Sequence, residues 1–524
     1  MAGAKGLTRR DWLQRALAGA SVAALGPGAW ARVRTPTDPF ALGVASGSPL
    51  QDSVVLWTRL LVPAGQPDLA VRWELAHDEG FTRIVQAGQT PAPAALGHAV
   101  HVEVQGLAPD RGYFYRFAAG DALSATGHTR TLPAAGAQVA GLRLAYASCQ
   151  RWEHGHFSAW RHMLADQPDL VLFLGDYIYE YAGAPQPVRS VPGGWVLTLD
   201  DYRRRYAVYK SDPALQAMHA ACPWLVTWDD HEVQNDYAGL KEGSSGVPVA
   251  DFAARRAAAY QAFYEHMPLR ASVLTRALAG LESGAEMRIY SRLQYGRLAS
   301  LSLLDARQYK DPQACTRDGN RGAGTLDPAS CAAWKDPVRS LLGNVQERWL
   351  DNGFSSAASR EIRWNVLGQQ TLFGRRNFRS GAGQVLWNDG WDGYSAARSR
   401  VIDGLQKHAV ANPVLLGGDV HENWVGHVKA DYDAPGSRNI GVEFCGTSIS
   451  SRSAGNEKIP QVLAANPHFV FADSDKRGYG LVDFTPSRLD TTLRVVDDVS
   501  LPDSGVSTLA RFSVQAGRAQ IERS

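Results

Sequence analysis

Four short stretches of this chain each close an apolar run with side chains that bind metal ions or carry protons. Tyr146-Ala147-Ser148-Cys149-Gln150 ends in a thiol, and Gly175-Asp176-Tyr177-Ile178-Tyr179 offers a carboxylate with a phenol three residues on. Thr227-Trp228-Asp229-Asp230-His231-Glu232 gathers carboxylates and an imidazole, with Asn235 and Asp236 close behind. Leu416-Gly417-Gly418-Asp419-Val420-His421-Glu422 follows another apolar run. One aspartate or histidine after a strand is ordinarily a cap or a surface residue, so no single stretch decides anything. Four in one region are harder to dismiss. Two metal ions bridged by a carboxylate need about this many ligands, and such a pair clamps the attacking and leaving oxygens of phosphoryl transfer.

Such groups must be delivered by strands. Residues 170–174, Leu-Val-Leu-Phe-Leu, form an apolar run of strand length with no helical periodicity, the pattern of a strand buried on both faces. Gly175 ends the run, so Asp176 falls at the carboxyl edge where α/β proteins gather their ligands. Residues 142–147, 224–228, 300–304, 364–367 and 414–416 are further candidate strands, and 251–266 and 343–350 read as helices. Ahead of this region, 54–60, 71–75, 98–104 and 113–117 are short alternating strands with turn signals between them. They predict a small β-sandwich of the fibronectin type III kind, without a catalytic cluster and so a support or lid. Strands return after Gly478, as at 491–496, and end in a hairpin about Gly517.

With 524 residues the chain can hold two or three domains, and 45% hydrophobic with 20% charged residues excludes wholesale disorder. Arg9-Arg10-Asp11-Trp12-Leu13, the mildly apolar residues 16–25 and the small residues of Ala29-Trp30-Ala31 read as a twin-arginine export signal over 1–31. Its apolar core is too short to span a bilayer, so no stable membrane anchor is expected. Removing its four basic residues and one acid leaves 50 basic against 51 acidic residues, with no patch for nucleic acid or anionic lipid. That export route carries folded proteins, often with metal inserted, and points to a periplasmic or secreted enzyme. In an oxidising compartment Cys315 and Cys331 are the expected disulfide. No feature sets an oligomeric state.

The order Gly-Asp-x-x-Tyr, then Asp-His-Glu, then Gly-Asp-Val-His resembles the calcineurin-like metallophosphoesterases, and within them the alkaline phosphatase D (PhoD-like) family. Ser148-Cys149-Gln150, Leu304-Asp305-Ala306-Arg307-Gln308-Tyr309, Trp391-Asp392-Gly393-Tyr394 and Arg477-Gly478-Tyr479 extend the resemblance over nearly the whole mature chain. It implies an α/β fold: a calcineurin-like core, a two-sheet β-sandwich flanked by helices, over 140–485, with a strand-rich tail over 486–524 packing on it. The fibronectin type III-like sandwich would occupy 38–133. It also implies Fe(3+) held by Cys149, Asp176, Tyr179 and His421, and Ca(2+) held by Asp230 and Asp419, with Asp176 bridging.

The reaction this implies is hydrolysis of small phosphate esters by attack of a metal-bound hydroxide, with His231 beside the leaving oxygen. For His231 a supporting role or metal ligation stays open. Asp229, Glu232 and Asn235 could orient ligands or add calcium contacts. Arg307 reads equally as a phosphate clamp or a buried salt bridge, and Cys149 has a rival fate in a disulfide with Cys222 or Cys445. Within enzymes the alternative is a phospholipase D-type diesterase; from another class it is a non-catalytic envelope binding protein, which should lack some of the matched ligands.

Overall fold

Strands of two kinds divide the work in this computed structural model, which describes residues 38–274, 286–316, 321–356, 361–434 and 436–524. The stretch read as an export signal, 1–31, lies outside the described residues. The described residues form two units: 38–133 with Leu197–Trp224 and the described part of 253–288, and the remainder.

In the first unit β1 (Val44–Gly47), β2 (Ser53–Arg59) and β5 (Ala99–Gln105) pair antiparallel. A second sheet runs β4 (Ile84–Ala92), β3 (Leu69–Ala76), β6 (Gly112–Ala119), with β7 (Ala122–Leu123) and β8 (Gly127–Arg130) on β6. Alternate residues turn inward, so Val54, Leu56, Val71, Leu75, Val100, Val102, Tyr113, Tyr115 and Phe117 meet in one core. The pattern made four of these strands legible. β4 escaped because it is an edge strand, half-buried over most of its length and carrying Pro91.

Helices Leu199–Lys210, Pro213–Ala221 and most of Phe252–His266 belong to this same unit although they lie far along the chain. The fully buried Trp57 donates its indole N–H to the Glu265 carbonyl at 3.1 Å, and Arg203 pairs with Glu265 at 2.6 Å. Contiguous bounds at 38–133 and 140–485 therefore differ from the compact units, because these helices bury their apolar faces against the early strands.

The second unit has two main sheets. One runs β24 (Ile521–Arg523), β23 (Val506–Gln515), β22 (Arg488–Val496), β21 (Arg477–Phe484), β9 (Leu142–Ala147), β10 (Leu170–Phe173) and β11 (Trp224–Val226). β9 and β10 are parallel, and the tail strands continue from β9 antiparallel. The other runs β12 (Ser291–Tyr295), β13 (Ala299–Leu303), β15 (Trp364–Gly368), β17 (Pro413–Gly417), β19 (Asn439–Cys445), β18 (Asn423–Lys429) and β20 (Phe469–Asp473), with β13, β15, β17 and β19 parallel. A small ribbon pairs β14 (Thr325–Leu326) with β16 (Leu386–Trp387).

β10, β13, β15 and β17 are buried along their whole length; β10 and β17 read as unbroken apolar runs for that reason, while β13 and β15 also bury Ser300, Ser302 and Asn365. β11 stops at Val226, two residues short of expectation, because Thr227 and Trp228 turn their side chains to Leu304 O and Asp305. The helix expected over 343–350 continues to Ser355, burying Phe354. No helix among the described residues is long and apolar enough to cross a membrane.

Candidate metal centre

The loops after β9, β10, β11 and β17 converge. Four overlapping groups have donor atoms within 4.8 Å of one another: Cys149, Asp176 and His421; Asp176, Asp230 and His231; Asp229, Asp230 and Asp419; and Asp230, Asp236 and Asp389. Tyr179 joins the first, its hydroxyl 2.9 Å from Asp176 Oδ2 and 3.2 Å from His421 Nε2. The other ring nitrogen of His421 lies 2.8 Å from the Arg452 carbonyl, which fixes the ring and turns Nε2 toward the centre.

Convergence requires a strained backbone. Cys149, Asp176, Asp419 and His421 hold φ angles of 60, 58, 64 and 58°, a region costing a non-glycine residue about 1–2 kcal/mol. These are four of the fourteen non-glycine residues with positive φ among the described residues, and four strained ligand-type residues meeting at one place are what a functional site shows. Gly175 has φ 107°, and a Cβ there would stand 2.5 Å from Asp229 Cβ, so only glycine lets the two loops pass. Glu232 pins them: its carboxylate accepts the backbone N–H groups of Asp176 (3.1 Å), Tyr177 (2.6 Å) and Asp229 (2.8 Å).

The electrostatics are those of an acidic site built around one arginine. Arg307, 2% exposed, pairs with Asp229 and with Asp389 at 2.5 Å, and stands 3.6 Å from Asp230 and 3.7 Å from Asp419. Lys310 adds a second buried cation on Asp389. Burial and the carboxylates of Asp230, Glu232 and Asp419 push Asp176 well above the usual carboxylate range, against His231. Burial likewise raises the Cys149 thiol and the Tyr179 phenol. Burial opposes charge on His231, but Asp176, Glu180 and Asp230 outweigh it and raise its pKa well above the usual value. His421 falls to about 4 through burial, leaving it neutral and able to coordinate. A bound cation would release the protons that the thiol, phenol and Asp176 otherwise keep.

Residues 144–493 match the PhoD-like phosphatase family, and 27–133 match the family's N-terminal domain. The chain is 45% identical over 499 residues to alkaline phosphatase D of Bacillus subtilis (strain 168), covering 93% of this chain and 82% of that protein. The chain belongs to the PhoD-like phosphatase family. Its backbone also matches a solved structure of PhoD with a TM-score of 0.85 at 43% identity, over 93% of this chain and 92% of the other. This PhoD-like phosphatase is thus a phosphoesterase, and family membership decides against a non-catalytic binding protein.

Within this phosphatase, Cys149, Asp176, Tyr179, Asp230, His231, Asp419 and His421 lie together, with Asp229 and Arg307 among them. Arg307 forms the buried ion pairs of the second of its two readings, with four carboxylates around it. Glu232 faces backbone amides, and Asn235 accepts from the Tyr181 hydroxyl at 3.0 Å, so each supports a loop. Cys149 forms no disulfide; Cys315 and Cys331 are joined, with Cα atoms 6.0 Å apart.

Sequence reasoning missed two carboxylates. Glu180 lies fully buried with Oε2 2.7 Å from His231 Nδ1, and it accepts the Asn235 N–H and the Ser245 hydroxyl. Its position one residue after Tyr179 was the available signal. Asp389 follows the two-residue strand β16, where no apolar run points to it.

Proposed function

We propose that this phosphatase is exported and hydrolyses phosphomonoesters, phosphodiesters or both, using iron(III) and calcium. The observation that carries this reading is the division of donors about Asp176: the thiol, phenol and imidazole of Cys149, Tyr179 and His421 on one side, and on the other Asp230, which also belongs to an all-aspartate group with Asp229 and Asp419, with His231 beside it. Cys149, Asp176, Tyr179 and His421 would hold the iron, to which thiolate and phenolate are suited. Asp230 and Asp419 would hold calcium, which seeks oxygen ligands, with Asp176 bridging. Two buried oxygens, Asp229 Oδ2 and Asp230 Oδ1, have no hydrogen-bond partner among the described residues, which favours a cation between them.

When bound, such ions polarise the phosphoryl oxygens and bring the pKa of a water near neutrality. The chain's own residues supply the rest. Glu232 and Gly175 hold the loops in register, and Arg307 offsets the repulsion among the aspartates. Because His231 Nδ1 faces Glu180, Nε2 is left to carry the proton that a departing alcohol oxygen requires. The same reading includes a calcineurin-like core over 140–485 with its tail at 486–524, and a fibronectin type III-like domain at 38–133. It also includes a twin-arginine signal at 1–31 and a periplasmic or secreted location.

Hydrolysis of p-nitrophenyl phosphate and bis-p-nitrophenyl phosphate by exported protein, with calcium and then with a calcium chelator, tests the proposal. Turnover of either substrate that the chelator abolishes is expected, and the ratio names the preferred ester. Turnover that survives removal of all metal would overturn it.

A further inference from the structure

Beyond the metal centre, rings of increasing exposure lead away from His231. Tyr181 has its ring centroid 5.1 Å from that of His231, and Trp195 stands 5.5 Å beyond Tyr181, edge to face. Both are only half-buried, whereas Tyr179 and His231 are buried. The arrangement is anchored at every point. The Tyr181 hydroxyl donates to Asn235 Oδ1 at 3.0 Å, and the Val196 N–H donates to the Glu180 carbonyl at 3.0 Å. Trp195 rests on Gly246, where a Cβ would approach its ring carbons to 3.0 Å.

Arg151 completes the group. Its guanidinium lies 4.4 Å over the Tyr181 ring, while its buried Nε–H has no acceptor among the described residues. A row of anchored, half-exposed rings beside the proton-carrying histidine is an uncommon use of surface, since an aromatic face left partly open can gain another flat ring.

We propose that Trp195, positioned by Tyr181 and Gly246 and flanked by Arg151, is the subsite for the alcohol half of the ester. It selects alcohols that present a flat ring, aryl or nucleoside, over short acyclic ones. The inference rests on the proposed role of His231: if that ring protonates the leaving oxygen, the group attached to this oxygen extends along Tyr181 toward Trp195. Short acyclic alcohols reach His231 but leave the tryptophan face uncovered.

The test compares Trp195→Ala and Trp195→Phe with the wild type on p-nitrophenyl phosphate, a nucleoside 5′-monophosphate and glycerol phosphate, following kcat and KM separately. Trp195→Ala should raise KM about tenfold for the two ring-bearing esters, the scale of one stacked ring. It should leave kcat and the glycerol phosphate constants within about twofold, and Trp195→Phe should restore most of the loss. Equal loss on all three esters, or no loss on any, would overturn the subsite. If the wild type hydrolyses only the diester bis-p-nitrophenyl phosphate, the same comparison is made on it, and an unchanged KM for Trp195→Ala would overturn the subsite; no hydrolysis of any of the four esters would overturn the proposed role of His231, and this inference with it.

Discussion

Asp176 belongs to two of the four donor groups, one with Cys149 and His421 and one with Asp230 and His231. Asp176→Asn keeps the shape and the backbone contacts with Glu232 but withdraws the charge that would join two cations. Elemental analysis should show metal loss and p-nitrophenyl phosphate hydrolysis should fall by more than about 100-fold, beyond the usual effect of an outer partner. Export of the folded variant should be unchanged; normal turnover would refute the bridging role. Glu180→Gln keeps a hydrogen bond to His231 but removes the charge behind it. The account expects kcat lower by about 10- to 100-fold with KM little changed, measured by steady-state kinetics. Residues like Asp176 and Asp419 were legible because each follows a buried apolar strand. Glu180 and Asp389 were not, because a loop has no period to say which side chains turn inward.

At the scale of elements, the centre depends on two loops crossing at Gly175. Gly175→Ala would drive a methyl group to 2.5 Å from Asp229 Cβ at a φ of 107°. Thermal unfolding should show a loss of at least about 1–3 kcal/mol, with activity falling because Asp176 and Asp229 move apart. Strands buried on both faces announced themselves in sequence, whereas β18 and β19 did not. His427 and Lys429 interrupt the first, and the second buries Glu443, which accepts the N–H groups of Phe373 and Gly374. Polar residues in strand interiors break the apolar signal even where tertiary hydrogen bonds satisfy them.

The chain as a whole returns twice to its first unit, bringing Lys210 into a buried position with its ammonium 4.3 Å over the Trp57 ring. Burial lowers its pKa from 10.5 to about 7. Between those values the folded state binds fewer protons than the unfolded chain, so stability rises with pH from about 7 to 10.5. The gain is on the order of 5 kcal/mol before the attraction of Trp57 for the ammonium reduces it. Denaturant unfolding at pH 7 to 10 should show this rise in the wild type, and Lys210→Met should flatten it. Such returns of the chain left no composition shift in the sequence, since helices of both units share the same amphipathic texture.

The most direct test of the account is elemental analysis of purified exported protein, paired with the visible spectra of the wild type and Tyr179→Phe. The account predicts bound iron, a visible band from phenolate-to-iron charge transfer that Tyr179→Phe removes, and phosphate-ester hydrolysis that falls with the metal. Full hydrolysis by protein containing no iron would contradict it.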